Sequence, residues 1–234
     1  MNNSRDSQPD GGVLVIQILD RDAFDDACDR DTTSHTFRVA VVHVTAAEDG
    51  GDICVEPGMP ARLAAVEAPV VASLSGRIDD RVLELALAAD IRVCDEGATF
   101  ALTQPQRGNL PSDGGTQRLP RILGPSLATD MLLTGRRITA GEALNAGLVT
   151  EIVPGGHAVN RANEIATEMC ARGRAAGRFS KEAVLRGADM PLDQALRFEA
   201  DLAILLHTDP ERAEGIEAFK TRREPEFQGN KPGE

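Results

Sequence analysis

Two acidic residues have neighbours that draw attention to their carboxyl groups. Glu84 lies between Leu83 and Leu85, in a stretch whose apolar residues have helical spacing. Asp113 precedes two glycines and a polar stretch, where aspartate commonly caps the helix that follows. Carboxyl groups can also act as general acids or bases. For both residues, proton transfer and a purely structural role therefore stay open.

Several classes of site and partner are disfavoured by composition. The cysteines, Cys28, Cys54, Cys94 and Cys170, form no CxxC pair or Cys/His cluster, so a structural metal site is not expected. The net charge of −12 makes nucleic acid and anionic membranes poor partners. The chain has no Trp and no Tyr with which to stack bases.

The chain divides by its patterning into three parts. Residues 1–12 are polar and are expected to form a disordered tail, residues 13–155 an α/β core, and residues 156–234 a helical region. An apolar run long enough for a membrane span is missing, and the polar start does not resemble a signal peptide. The cysteines are widely spaced and are expected to be reduced thiols. Together these features lead us to expect a cytoplasmic protein.

Short apolar segments alternate with helical ones, which predicts βαβ units and a largely parallel sheet. The expected strands are Val13–Leu19, Arg38–Val44, Pro69–Leu74, Asp90–Cys94 and Val149–Val153. A helix over Asp79–Ala88 would be capped by Asp79 or Asp80, whereas Asp20–Thr36 is expected to be a loop or a poor helix. The helices expected after Gly124 include Ser126–Leu133, Ala140–Ala146, Val159–Arg172, Ser180–Arg186, Leu192–Leu206 and Glu211–Arg222.

From Ala68 onward the chain resembles the crotonase (enoyl-CoA hydratase/isomerase) superfamily. The resemblance rests on long, correctly ordered segments, namely APVVASLSG (68–76), LELALAADIRVCDEGATFAL (83–102), LPSDGGTQRLPRILG (110–124), LLTGRRITAGEALNAGLVTEIVP (132–154) and EGIEAFKTRREPEF (214–227). Residues 1–67 match only in the placement of strands. The chain therefore looks like a divergent, N-terminally shortened member whose first helix, and the helix after Gly51, are shortened or missing.

The resemblance implies an α/β fold, a spiral of β-β-α units followed by a helical C-terminal trimerisation region. It also implies an acyl thioester of coenzyme A as substrate, with no tightly bound cofactor. The shared chemistry would be stabilisation of a thioester enolate by two backbone N–H groups. The expected assembly is a homotrimer or a dimer of trimers, and a hetero-oligomer is possible.

The two oxyanion-hole donors of the family map onto Gly51 and Arg81. Gly51 lies in the weakly matching segment Asp49-Gly50-Gly51-Asp52, and an ordinary glycine turn is the other interpretation. Arg81 stands in Asp80-Arg81-Val82, where the family has three glycines. A backbone N–H needs no particular side chain, but glycine permits close approach and unusual dihedral angles. Asp80 would oppose a developing negative charge and Arg81 would offset it.

The family's first catalytic glutamate falls on Glu84, and the second position holds Gln104. Glutamine can orient a water molecule but cannot transfer a proton. Ser112 matches a position where some relatives, such as dienoyl-CoA isomerases, carry a third catalytic aspartate, and Asp113 follows it. By the same resemblance Phe219 and Lys220 would contact coenzyme A. Additional phosphate-binding candidates are Arg77, Arg81, Arg222 and Arg223.

Three functions remain open at this point. The first is an enoyl-CoA hydratase or isomerase, a lyase or isomerase that uses Glu84 as general acid/base. The second is a crotonase-like subunit that has lost catalysis and serves as a binding or partner protein. The third is a thioester or C–C hydrolase in which Ser112 is the hydroxyl near the site.

Overall fold

Five short strands rich in β-branched residues form a parallel sheet with the order β1-β2-β3-β5-β8. The computed structural model describes residues 12–17, 21–34, 37–45 and 55–227. The strands of this sheet are Val13–Gln17 (β1), Val39–Thr45 (β2), Val70–Ser75 (β3), Ile91–Asp95 (β5) and Glu151–Val153 (β8). All of the strands expected from the sequence are present, within two residues at each described end.

A second, three-stranded sheet stands beside the first. It consists of Arg77–Asp79 (β4), Thr99–Ala101 (β6) and Ile138–Thr139 (β7), with β4 parallel to β6 and β6 antiparallel to β7. The chain thus passes from the large sheet to the small one twice, through β3-β4 and through β5-β6, and enters a helix each time. This repetition is the β-β-α arrangement expected from the sequence.

Helices cover the sheets and make up the C-terminal region. The described α-helices are Arg21–Ser34 (α1), Met59–Ala64 (α2), Asp80–Ala86 (α3), Gly115–Leu123 (α4), Pro125–Thr134 (α5), Ala140–Asn145 (α6), Ala158–Cys170 (α7), Arg174–Gly187 (α8), Leu192–Leu206 (α9) and Pro210–Thr221 (α10). A short 3₁₀ helix spans Gln104–Arg107. No helix of the described ranges is both long and apolar enough to span a bilayer.

The parallel sheet buries both faces, which explains why its strands read as continuous apolar runs. On one face, alternate residues such as Ala40, Val42 and Leu74 join the main core with Leu83 and Leu85 of α3. On the other face, Val41 and Val71 pack against α7. The main core therefore fixes α3, and with it Glu84, relative to the sheet.

The helical C-terminal region is tied to the core by two basic side chains. The Lys181 ammonium donates to the backbone carbonyls of Val66 and Ala68, at 2.8 and 2.9 Å, and pairs with Asp90. Arg38, next to β2, pairs with Glu211 of α10 at 2.8 Å. Apart from the pair with Asp90, these contacts join residues more than a hundred positions apart.

Three expectations about the elements need correction. The acidic segment Asp20–Thr36, expected to be a loop or a poor helix, contains the 14-residue helix α1, so the first helix is present. The helix after the Gly51 region is the six-residue α2, a short helix as expected. Helix α8 begins at Arg174, six residues before the expected start. Asp79 occupies the N-cap position of α3, as expected, but its side chain forms no cap hydrogen bond because it pairs with two arginines, and Asp80 binds Thr103 instead. Except for Gly12, the expected tail lies outside the described residues, as do residues 18 and 19 of the first expected strand.

Candidate active site

Glu84 projects from the middle of α3 into a site walled by the loop before α4. Its side chain is fully buried. Its Oε1 atom accepts hydrogen bonds from the backbone N–H groups of Asp113 and Gly115, both at 2.8 Å. Its Oε2 atom accepts one from the Gln104 amide at 3.1 Å. Three donors from two separate segments therefore hold a buried carboxyl group in one orientation.

The close approach of the loop to Glu84 requires glycine at position 115. A Cβ atom placed on Gly115 would lie 2.9 Å from the Pro111 Cβ and 3.1 Å from the Glu84 Oε1. The preceding Gly114 has a φ angle of +112°, which side chains other than glycine's rarely tolerate. The glycine pair thus brings two N–H groups to the carboxyl group.

Burial raises the pKa of the Glu84 carboxyl group above its ordinary value, and the nearby charge of Asp113 acts in the same direction. The hydrogen bonds from Gly115, Asp113 and Gln104 oppose this shift because they favour the ionised form. The carboxyl group is therefore easier to protonate than a solvated glutamate. Such a shift suits a group that must both take up and release a proton.

Gln104 lies at the start of the 3₁₀ helix, and its side chain faces Glu84. Its Nε2 atom donates to Glu84, while its Oε1 atom is buried without a hydrogen-bond partner among the described residues. A buried oxygen in this state can accept a hydrogen bond from a small polar ligand or a water molecule. Gln104, which the resemblance places at the family's second glutamate position, is thus adjacent to Glu84.

Asp113 does not cap α4, because the residue before that helix is Gly114 and no side-chain cap is formed. Instead, its Oδ1 atom accepts from the Gly58 N–H at 2.9 Å, at the entry to α2. Its Oδ2 atom is buried and lies 3.4 Å from the Arg81 Nε, without a normal hydrogen bond. Capping is therefore the wrong interpretation, and Asp113 links three segments around Glu84.

The charged residues that replace the family's glycines are accommodated by specific partners. Asp80 adopts a φ angle of +48°, a left-handed conformation that glycine would favour. Its carboxylate accepts from the Thr103 N–H at 2.6 Å and from the Thr103 hydroxyl group, and it pairs with Arg107. The negative charge of Asp80 is thus held by these partners rather than left uncompensated.

Within the described residues, no acceptor binds the Arg81 N–H, which lies one turn before Glu84 in α3. The other expected oxyanion donor, Gly51, lies outside the described residues. Ser112 is exposed, and its hydroxyl group donates no hydrogen bond to a described residue. No described residue is therefore placed to act as the base that a hydrolase would need to activate Ser112.

The residues expected to contact coenzyme A lie on other elements than Glu84, and most of them are far from it in the sequence. Phe219 is 86% exposed and lines an apolar cavity of about 460 Å³ between α8, α9, α10 and Phe227. Lys220 follows it on α10 and is exposed. Arg77 pairs with Asp79, and Arg223 pairs with Glu214. Arg222, which ends α10 with a φ angle of +55°, is exposed.

Sequence reasoning missed the residues that support the site from outside the motifs. Gly58 holds Asp113, whereas Thr103 and Arg107 hold Asp80. Arg107 comes 27 residues after Asp80, and no spacing rule connects them. The sequence offered one signal: the charged residues Asp80 and Arg81 lie near a buried site, and charges there need counter-charges.

Comparison with known proteins identifies the class. The family model for enoyl-CoA hydratase/isomerase matches residues 59–230, which is well over half of the chain. The chain therefore belongs to the enoyl-CoA hydratase/isomerase family, as its motifs predict. The fold agrees, since a crystal structure of enoyl-CoA hydratase from Bacillus anthracis superposes with a TM-score of 0.83 at 27% identity, covering 94% of this chain and 96% of that chain.

Two curated relatives show where the similarity is concentrated. The chain is 38% identical over 173 residues to 2,3-dehydroadipyl-CoA hydratase from Escherichia coli K12, covering 74% of this chain and 68% of the relative. It is 38% identical over 176 residues to the human enoyl-CoA hydratase domain-containing protein 2, mitochondrial, covering 74% of this chain and 60% of the relative. The chain thus spans only about two thirds or less of the length of these relatives.

Proposed function

We propose that this chain is an acyl-CoA-processing enzyme that hydrates or isomerises a carbon–carbon double bond, with Glu84 as its general acid/base. One observation carries the proposal: a buried carboxyl group with a raised pKa, held by three donors one helical turn from an unpaired backbone N–H. The relatives named as enoyl-CoA hydratases support the substrate class. Coenzyme A enters as part of the substrate, and no bound cofactor is required.

The thioester oxygen would accept a hydrogen bond from the Arg81 N–H, with Gly51 as the second donor. Negative charge that develops on this oxygen would then be stabilised as the reaction proceeds. The acyl carbons would extend toward Glu84, the group that exchanges protons with them. This arrangement places charge stabilisation and proton transfer on the same short helix, α3.

In the hydration step, Glu84 would take a proton from water as the water oxygen bonds to C3 of the acyl chain. The electrons of the double bond would move onto the thioester oxygen. Glu84 would then return the proton to C2, which completes the addition of water. Isomerisation would need no water, because Glu84 would remove a proton from C2 and return it at C4.

Gln104 would support both protonation states of Glu84 without transferring a proton itself. Its Nε2 donates to the carboxylate as described, and a rotated amide would accept from the protonated acid through Oε1. In hydration, the unpartnered Oε1 is also a suitable acceptor for the attacking water. A single carboxyl group and an adaptable amide would thus replace the two-glutamate arrangement.

Asp113 would contribute mainly through its position beside Glu84. Its backbone N–H orients Glu84, and its charge raises the pKa of the Glu84 carboxyl group. Its Oδ2 atom lies beside Arg81 and could orient a water molecule. Ser112, exposed and without a described acceptor, receives no role in this mechanism.

We propose further that the chain assembles as a homotrimer or a dimer of trimers through its C-terminal region. Several large apolar side chains of α8, α9 and α10 are exposed, including Val184, Leu192, Leu196, Ile204 and Phe219. Contiguous exposed apolar surface is typical of contact regions between proteins. Phe219 and Lys220 would then contact coenzyme A after assembly, and a hetero-oligomer is an alternative for the same surface.

Calorimetric titration with crotonyl-CoA and with free coenzyme A tests the proposal, followed by the absorbance assay for hydration on the same sample. We expect binding of the thioester and turnover. Binding without turnover of crotonyl-CoA or of an isomerisation substrate would favour the subunit without catalysis. An absence of binding to any acyl-CoA would contradict the proposal.

A further inference from the structure

The Arg81 side chain is an unused cation at the edge of the site. It is 47% exposed, and its one described contact is the 3.4 Å approach of Nε to the Asp113 Oδ2. Among the described residues, none accepts a hydrogen bond from its guanidinium group. The edge formed by its two terminal nitrogens is therefore available to bind a carboxylate through two hydrogen bonds.

The neighbouring charges make Arg81 differ from the other arginines nearby. Arg107 is paired with Asp80, and Arg137 binds both oxygens of Asp79. Arg118 donates to the backbone carbonyl of Asp113 at 2.9 Å. Asp113 itself is held from the other side by the Gly58 N–H, so it does not need Arg81 to keep its position. Arg81 can thus bind a ligand through its terminal nitrogens while its Nε stays beside Asp113.

In the binding mode proposed above, Arg81 lies on the acyl side of the site rather than on the coenzyme side. Its side chain reaches Asp113, whose backbone N–H binds Glu84. In the proposed reaction Glu84 exchanges protons with the acyl carbons, so a group beside Asp113 faces the acyl chain. A ligand that meets the guanidinium group there would be part of the acyl group.

We propose that the Arg81 side chain is a specificity-determining residue that binds a carboxylate on the acyl group. The preferred substrates would then be thioesters of dicarboxylic acids. This inference rests on the proposed function, because it places the thioester oxygen at the Arg81 N–H. It also explains why arginine stands where the family has glycine, since the backbone N–H alone would need no such side chain.

Without the guanidinium group, the same place would repel a carboxylate. The negative groups there would be Asp113, whose Oδ2 atom is buried, and the ionised form of the fully buried Glu84, while the nearby Arg118 is bound to the Asp113 backbone carbonyl. Like charges in such surroundings disfavour each other strongly. Removing the Arg81 charge should therefore reverse the preference between acidic and neutral acyl groups, rather than weaken all binding equally.

The test is calorimetric titration of the full chain with unreactive saturated thioesters in pairs of equal length. The pairs are adipyl-CoA with hexanoyl-CoA and glutaryl-CoA with pentanoyl-CoA, and free coenzyme A measures the contribution of its phosphates. We expect the dicarboxylic member of at least one pair to bind about tenfold more tightly, the effect of a charged hydrogen bond. Equal or tighter binding of the neutral member in both pairs would overturn the inference while leaving the proposed function intact.

Variants distinguish the side chain from the backbone. Arg81→Met keeps the N–H and the side-chain length. We expect this variant to bind the neutral member of each pair more tightly than the dicarboxylic member. Arg81→Lys should retain part of the preference, because the charge remains but the two-point contact is lost. Arg121→Met, which removes a similarly exposed arginine from α4, should bind every ligand as the unmodified chain does.

Two results with these variants would count against the inference. If Arg81→Met weakened free coenzyme A as much as adipyl-CoA, the guanidinium group would bind phosphate and the inference would be wrong. If Arg81→Met retained the dicarboxylic preference in full, a different group would be responsible. Failure of every thioester to bind the unmodified chain would instead contradict the proposed function as well.

Discussion

At Glu84, burial and hydrogen bonding act in opposite directions on one carboxyl group. Burial raises its pKa, while the two backbone N–H groups and the Gln104 amide lower it. In the proposed mechanism Glu84 must be available in both protonation states near the working pH, so this balance would set the activity. The acid limb of the pH profile should therefore report the protonation of Glu84 directly.

We expect kcat/KM to rise with pH through a midpoint above the ordinary pKa of glutamate. Gln104→Leu removes a donor that favours the ionised form, so it should move this midpoint to higher pH as well as lower the rate. Gln117→Leu, at an exposed position of α4, should leave the midpoint unchanged. Identical midpoints for Gln104→Leu and the unmodified chain would show that the limb does not belong to Glu84.

Single residues were predictable from the sequence to different degrees. Glu84 and Gln104 were found together because their motifs fix their spacing, and the structure places them 3.1 Å apart. The role of Asp113 was not predictable, since its partners Gly58 and Arg81 come from other segments. Gly51 and the coenzyme contacts stay predictions.

At the scale of elements, the loop before α4 and helix α3 must fit together without space between them. Gly115→Ala would place a methyl group against Pro111, Leu102 and Glu84. We expect a loss of about 1–3 kcal/mol in the free energy of unfolding, as for other overpacked sites, and a larger loss of activity. Urea unfolding and the hydration assay measure both quantities.

Gly141→Ala is the matched control for this variant. Gly141 lies in α6 with open space around its Cβ position, so alanine should be neutral or stabilise by up to about 1 kcal/mol. Equal effects of the two substitutions would mean that the close approach at Gly115 does not position Glu84.

The attachment of α8 to the core depends on the buried ammonium group of Lys181. Lys181→Met removes its ion pair with Asp90 and its two backbone contacts. We expect about 3 kcal/mol of destabilisation in urea unfolding, because the Asp90 carboxylate, whose side chain is only 19% exposed, would be left without its counter-charge. Arg186→Met, which breaks an exposed pair on the same helix, should cost less than about 0.5 kcal/mol. Similar losses for both would contradict this account.

The elements were predictable wherever their own periodicity was strong. The strands of the large sheet read as apolar runs because helices cover both faces. Helix α1 was missed because its many aspartates hide a buried stripe of Phe24, Ala27 and Cys28, which follows helical spacing. The two-residue strand β7 has no signal of its own, since it exists only through pairing with β6.

At the scale of the whole molecule, the C-terminal helices present apolar surface that the described chain does not cover. If this surface joins three copies, light scattering in dilute buffer should give three or six times the 24.9 kDa of one chain. Leu196→Asp and Ile204→Asp, on exposed positions of α9, should then shift the mass toward one copy. A monomer for the unmodified chain would contradict the proposed assembly.

The three-part division of the chain and its cytoplasmic location stay predictions. One curated relative carries a mitochondrial name, so family membership by itself does not fix the compartment. The family match does cover the core that holds Glu84, since the matched region, residues 59–230, includes the described residues around the site except Gly58. The central claim therefore concerns that carboxyl group.

Exchange of the C2 protons of butyryl-CoA in D₂O, followed by mass spectrometry, tests this claim most directly. It requires only that a base remove a proton next to the thioester, whatever the natural acyl group is. We expect the unmodified chain to catalyse the exchange and Glu84→Gln, which preserves shape, to bind the ligand but lose at least about a hundredfold in rate. Exchange by Glu84→Gln at the unmodified rate, or none by an unmodified chain that binds the ligand, would contradict the account.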